Sequence, residues 1–156
     1  AAFDSRPGHC TMPYSVLIAM GANLGDRLLA LRRAAEELRP FVSIVRASRI
    51  HETEPVGTPA GSPRFLNMVV AGYTRLPPEE LLERLLEVER RLGRRRGVRN
   101  APRVIDIDLI LHSAHLLRTR RLELPHARYL EREFVRAPLR ELQLRWRDPR
   151  TGVPLW

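Results

Sequence analysis

Two carboxylates interrupt an otherwise aliphatic run in Val104-Ile-Asp-Ile-Asp-Leu-Ile-Leu111, at Asp106 and Asp108. A β-strand turns successive side chains to opposite faces. Both aspartates therefore point one way, and Ile105, Ile107 and Leu109 the other. Neighbouring carboxylates repel each other and resist burial; a divalent cation relieves both problems. Oxygen-only ligands suit magnesium, which keeps water and phosphate oxygens as its other ligands. A carboxylate pair can also bridge two such ions across a phosphoryl transfer. For a bare Asp-x-Asp, two solvated surface residues would be the better account. The unbroken aliphatic setting and the arginines upstream turn the balance toward metal.

Those arginines are Arg94, Arg95, Arg96, Arg99 and Arg103, in one loop before the aspartate strand. Guanidinium forks bind phosphates bidentately and can absorb the charge of a transferring phosphoryl group. The net charge of +9 comes from 27 basic residues, and no lysine is among them. GC-rich coding accounts for much of that total, so position matters more than number. Three further residues have chemical potential. His126, in Leu124-Pro-His126, can donate to a phosphate, although a histidine after proline is more often structural. Asn67, within an apolar strand, has an amide that can read a heterocycle edge or bond to backbone. Glu89 lies near the end of a helical stretch, where its plain role is a surface carboxylate paired with arginines one turn away.

The elements that must position these residues follow from periodicity. Residues 14–20 are apolar enough for a buried strand. Gly21-Ala-Asn-Leu-Gly25 reads as a tight turn, since it lacks the lysine and hydroxyl of a P-loop. A helix follows over 26–39, with Leu28, Leu31, Ala35 and Leu38 on its apolar side and Pro40 ending it. A long second strand is expected over 42–53, with Val45 and Ala47 on one face and Ile44, Arg46 and Ser48 on the other. A Gly/Pro/Ser-rich loop spans 54–63, and a third strand 65–74. Pro77 and Pro78 open a second helix, with Glu79 and Glu80 in its first turn. Its apolar stripe is Leu81, Leu82, Leu85, Val88 and Leu92. A fourth strand is expected over 104–111, a hairpin within 113–120 and a short helix over 131–142. The core order, βαββαβ, predicts an α+β ferredoxin-like sandwich. Its antiparallel sheet has two helices on one face, with the other left to the C-terminal part or to ligands.

The remaining features are consistent with one domain over 12–156, residues 1–11 being expected as a tag or a disordered extension. The single cysteine, Cys10, cannot form an internal disulfide, and no apolar run has membrane-spanning length. A reducing cytoplasm and a monomer are the expected setting.

Taken in order, several motifs resemble one family, the hydroxymethyl-dihydropterin pyrophosphokinases of folate biosynthesis. They are Gly21-Ala-Asn-Leu-Gly-Asp-Arg27, Glu52-Thr-Glu-Pro-Val-Gly57, Phe65-Leu-Asn67, Glu89 with Leu92-Gly-Arg94, Pro102-Arg-Val-Ile-Asp-Ile-Asp108, and Leu124-Pro-His126 with Arg132 and Phe134. The resemblance implies transfer of the terminal diphosphate of ATP to the hydroxymethyl group of a reduced pterin, releasing AMP. It implies that Asp106 and Asp108 hold two magnesium ions. It assigns Arg94 and Arg103 to catalysis and to ATP, together with Glu89, Arg96, Arg121, His126 and Arg132. It assigns Thr53, Glu54, Val56, Phe65, Asn67, Asp106 and Phe134 to the pterin. Asn100 stands where the family often has a loop tryptophan, and Ala127 where a tyrosine often follows the histidine. Two other classes fit parts of the pattern. A basic ferredoxin-like sheet can bind RNA, but then aromatics rather than aspartates would occupy its central strands. A two-metal nucleotidyltransferase on a similar fold would not release free AMP. Neither nucleic acid nor membrane is expected as a partner.

Overall fold

Strand β1 (Tyr14–Ala22) is the centre of the sheet, and six of its nine residues are buried. The computed structural model describes residues 13–55, 60–93 and 104–155. After β1 come α1 (Arg27–Leu38), β2 (Ser43–Ala47), β3 (His51–Thr53), β4 (Phe65–Thr74), α2 (Pro78–Arg91) and β5 (Asp106–His112). A hairpin of β6 (Leu117–Arg118) and β7 (Glu123–Leu124), a turn of 3-10 helix and α3 (Glu133–Glu141) complete the order. The strands lie in the order β2-β4-β1-β5, and β3 also pairs with β4. Every pairing is antiparallel. This is the expected ferredoxin-like sandwich.

Asp26 caps α1, its carboxylate accepting the Leu29 N–H at 3.1 Å. Helices α1 and α2 cover one face, where Val16, Ile18, Met20, Ile105, Ile107 and Leu109 pack on Leu31, Leu38, Leu81 and Leu85. The other face is half covered. Val135, Leu139 and the segment after α3 pack on Leu17, Val69 and Ala71. The end of the sheet bearing Asn67 and Asp106 lies beyond that cover.

Several expectations are corrected. The hairpin expected within 113–120 lies further on, at 117–124, its turn closed by the Thr119 N–H donating to the Leu122 carbonyl at 2.9 Å. The long second strand is two strands. Ser48 bridges the break, its N–H donating to the Val69 carbonyl at 2.9 Å and its hydroxyl accepting the Val69 N–H at 3.0 Å. The β2–β4 register shifts between Ile44 and Arg46, so Ile44 packs on the core while Val45 is 53% exposed. The shift brings β2 so close that a Cβ at Gly72 would sit 2.3 Å from the Ser43 carbonyl oxygen. On α1, Leu28 is exposed, and the small Ala30 and Ala34 face the sheet instead.

At the far end of β5, His112 is fully buried. Its Nε2 donates to the Leu76 carbonyl at 2.8 Å, and its Nδ1 lies 2.9 Å from Nδ1 of His115. Tyr14 packs on both rings. Burial pushes the His112 imidazole below its ordinary value. The Leu76 carbonyl opposes this and the charge of His115 adds to it. The unfolded chain therefore binds the proton more readily than the folded one. Stability is expected to fall as pH drops below about 6.5 toward the lower folded value, at no more than about 1.4 kcal/mol per pH unit for this group. His112→Gln, which keeps a donor toward Leu76, should flatten that part of a urea-melt stability profile between about pH 7 and 5. An unchanged slope would refute the assignment.

Candidate active site

One row of opposed residues crosses the open end of the sheet. His51 pairs with Asn67, Asn67 with Gly21, and Gly21 with Asp106. Opposed residues share a face, so Asn67 and Asp106 flank a position that has no side chain. The next row runs Val69, Ala19, Asp108. Glycine and alanine thus floor a concavity whose walls include Asn67, Asp106, Asp108 and, from α3, Phe134. The period-two argument holds: Ile105, Ile107 and Leu109 go to the core under α1 and α2, and the aspartates to the opposite face.

Asn67 is buried, and its amide donates to the Thr53 hydroxyl at 2.5 Å. Its carbonyl oxygen projects over Gly21, where a Cβ would approach it to 2.8 Å. Phe65, two residues earlier on the same face and opposite Thr53, brings its ring edge to 3.5 Å from that same position. Opposite them, the Arg132 guanidinium sits over the Phe134 ring, 5.7 Å from its centroid. His126 follows the hairpin, and its N–H reaches the Ile110 carbonyl at 2.8 Å. Burial lowers the His126 pKa, Arg132 lowers it further, and Asp106 and Glu123 pull it back up. The imidazole therefore lies in the field of Asp106.

The other predicted residues are placed differently. Glu54 is exposed and pairs with Arg64 at 2.7 Å, at the base of the 54–63 loop. Arg121 is exposed and pairs with Glu83 of α2, which raises its pKa. Glu89 is not a surface residue. It is 3% exposed, and its Oε1 accepts the Ile107 N–H at 2.7 Å on the core side of β5. Val56, Arg94, Arg96, Arg103 and Asn100 lie outside the described residues. Two residues of the site carry no sequence signal of their role. Gly21, expected as part of a turn, lies inside β1, one residue before its end. Glu141 of α3 accepts the Arg49 N–H at 2.8 Å and is paired with His51, so it clasps β3 to the helix that carries Phe134. The Arg49 amide is the main reason its carboxylate titrates below the usual range, ahead of the His51 contact.

The 7,8-dihydro-6-hydroxymethylpterin-pyrophosphokinase (HPPK) family model matches residues 17–144. The chain belongs to that family. It is 44% identical over 127 residues to the 2-amino-4-hydroxy-6-hydroxymethyldihydropteridine pyrophosphokinase of Bacillus subtilis, covering 80% of this chain and 75% of that one. The enzyme of the same name from Porphyromonas gingivalis is 40% identical, with 89% and 97% covered. A folate synthesis bifunctional protein of Arabidopsis thaliana is also 40% identical, over 81% of this chain, which spans only 26% of that protein's length. Among solved structures, the Plasmodium falciparum HPPK-DHPS crystallised with pterin and p-hydroxybenzoate superposes with a TM-score of 0.73 at 12% identity, covering 95% of this chain and 41% of that one. At that identity the likeness speaks for the HPPK fold alone. No helix among the described residues is long and apolar enough to cross a membrane.

The floor gives a direct test. Gly21→Ala should leave the fold intact but force the Asn67 amide aside, since the new methyl would meet its oxygen at 2.8 Å. The Michaelis constant for a pterin substrate is expected to rise roughly tenfold or more while that for ATP changes little, a loss in keeping with a displaced positioning group. Equal effects on both would place the glycine outside the pterin wall.

Proposed function

We propose that the chain transfers the terminal diphosphate of ATP to the hydroxymethyl group of 6-hydroxymethyl-7,8-dihydropterin, releasing AMP. The observation that supports this best is the adjacency of two unlike walls. A carboxylate pair suited to metal and phosphate shares one concavity with an oriented amide and an aromatic ring suited to a flat heterocycle.

The donor set fits magnesium. Among the described residues no group of three or more histidine, cysteine or acidic side chains forms a protein cage for a metal. Two carboxylates on one face suit an ion that completes its shell with water and phosphate. Asp106 and Asp108 would hold it, and in our reading hold two ions. Magnesium bound there supplies charge neutralisation along the triphosphate and makes the β-phosphorus a better electrophile. Asn67, fixed by Thr53, reads the edge of the pterin, while Phe65 and Phe134 bound its faces. Glu54 and Val56 would complete the pterin end. Arg94, Arg96, Arg103, Arg121, His126 and Arg132 would meet the phosphates and the nucleotide, with Arg94 and Arg103 closest to the chemistry. For Arg121 this means exchanging Glu83 for phosphate. The hydroxymethyl oxygen attacks the β-phosphorus, the bond from that phosphorus to the α,β-bridging oxygen breaks, and AMP leaves. The hydroxyl proton passes to solvent. The protein's share is position and charge.

Incubation with ATP, magnesium and 6-hydroxymethyl-7,8-dihydropterin should yield AMP and the pterin diphosphate in equal amounts. Formation of ADP, or no AMP, would overturn the assignment. Asp106→Asn and Asp108→Asn should each lower turnover by about a hundredfold or more, with unchanged circular dichroism.

A further inference from the structure

Among the described residues, strand β5 has a strand partner on one side only. An edge strand presents backbone groups that no neighbouring strand can meet. Here two side elements meet them: Glu89 accepts from the Ile107 N–H, and the His126 N–H donates to the Ile110 carbonyl. Glu89 lies on the stripe of α2 that otherwise buries Leu81, Leu85 and Val88. A carboxylate in an aliphatic layer is costly, so apolar packing does not account for its place there, and its hydrogen bond to β5 is part of what does. The N–H it accepts belongs to the peptide unit joining Asp106 to Ile107. That unit is one of the two peptide units between the carboxylates of the site, so its orientation contributes to their separation.

We propose that Glu89 is a positioning residue for the aspartate pair. From the face of β5 opposite the concavity it holds the Asp106–Ile107 peptide, so that the two carboxylates keep the spacing a divalent cation requires. This rests on the magnesium reading above, and it gives Glu89 a task other than contact with nucleotide. The bond needs an acceptor rather than a charge, so an amide oxygen can replace the carboxylate.

The test is binding of Mn2+ in the presence of α,β-methylene-ATP, followed by electron paramagnetic resonance of the free ion, on the full chain and its variants. Glu89→Gln should bind within about twofold of wild type. Glu89→Leu should bind roughly tenfold more weakly, the usual scale for losing a group that orients a metal ligand. The magnesium concentration for half-maximal turnover should rise by a similar factor, and the Michaelis constant for ATP at saturating magnesium should stay within about twofold. Glu89→Met, of similar length but without the acceptor, replaces the leucine variant if that does not fold. Wild-type Mn2+ affinity in a folded Leu or Met variant, with only a lower melting temperature, would overturn the proposal. So would a Gln variant as impaired as the leucine one, or wild-type protein that binds no Mn2+. If the binding differences appear but no variant or wild-type protein makes AMP, the positioning role stands and the assigned reaction falls.

Discussion

Strand β5 satisfies three environments within seven residues. One face must take carboxylates, the other must fill an aliphatic core, and one edge has no strand beside it among the described residues. The first two demands are met by alternation, which sends Asp106 and Asp108 away from Ile107 and Leu109. Alternation does nothing for the edge. A buried N–H without an acceptor costs about 1–3 kcal/mol, and an edge free to shift would turn the wrong side chains inward. Glu89 and the backbone of His126 supply the missing partners. The chemistry of the concavity therefore depends on contacts made outside it, on the core side and along the edge of the same strand.

The concavity itself is made by subtraction. Between the functional strands β4 and β5, β1 offers Ala19 and Gly21 on the open face and then Leu17, which is fully buried beneath the α3 layer. The depth of the site is set by where β1 changes from small to large. The walls are then tied to one another from outside. Thr53 fixes Asn67 across β3–β4, and Glu141 joins α3 to β3 through His51 and the Arg49 amide. Phe134 and Asn67, on separate elements, are held at one spacing by these two links.

The alternation of β5, the βαββαβ order of elements and the helical stripe of α2 were legible because each follows from local periodicity that tertiary packing reinforced. What escaped prediction depends on register. Glu89 continues the buried stripe of α2, yet a carboxylate in that stripe reads as surface until the strand beneath it is known to be an edge. Gly21 looks like turn punctuation because Gly25 follows four residues later. Its role appears only when Asn67 and Asp106 fall to either side of it. The split of the second strand turned on Ser48, whose hydroxyl stands in for a ladder bond, and no alternation pattern marks that. The Leu28 face of α1 failed for a related reason. A helix lying close to a sheet prefers small residues at the contact, so Ala30 and Ala34 displaced the larger leucine.

The excess of arginine also reads differently once paired. Arg27 and Arg64 share Glu52, Arg64 reaches Glu54, Arg91 bridges Glu37 and Glu87, and Arg121 takes Glu83. These exposed pairs contribute little stability each, and among the described residues they hold arginine charge on helices and at loop bases. The open sheet face presents Asp106 and Asp108. A polyanionic backbone laid across the central strands would meet these two carboxylates, whereas a metal-complexed triphosphate brings its own cation. The sign of the charge at the site, more than the net charge of the chain, separates a nucleotide-using enzyme from a nucleic-acid-binding sheet of the same fold.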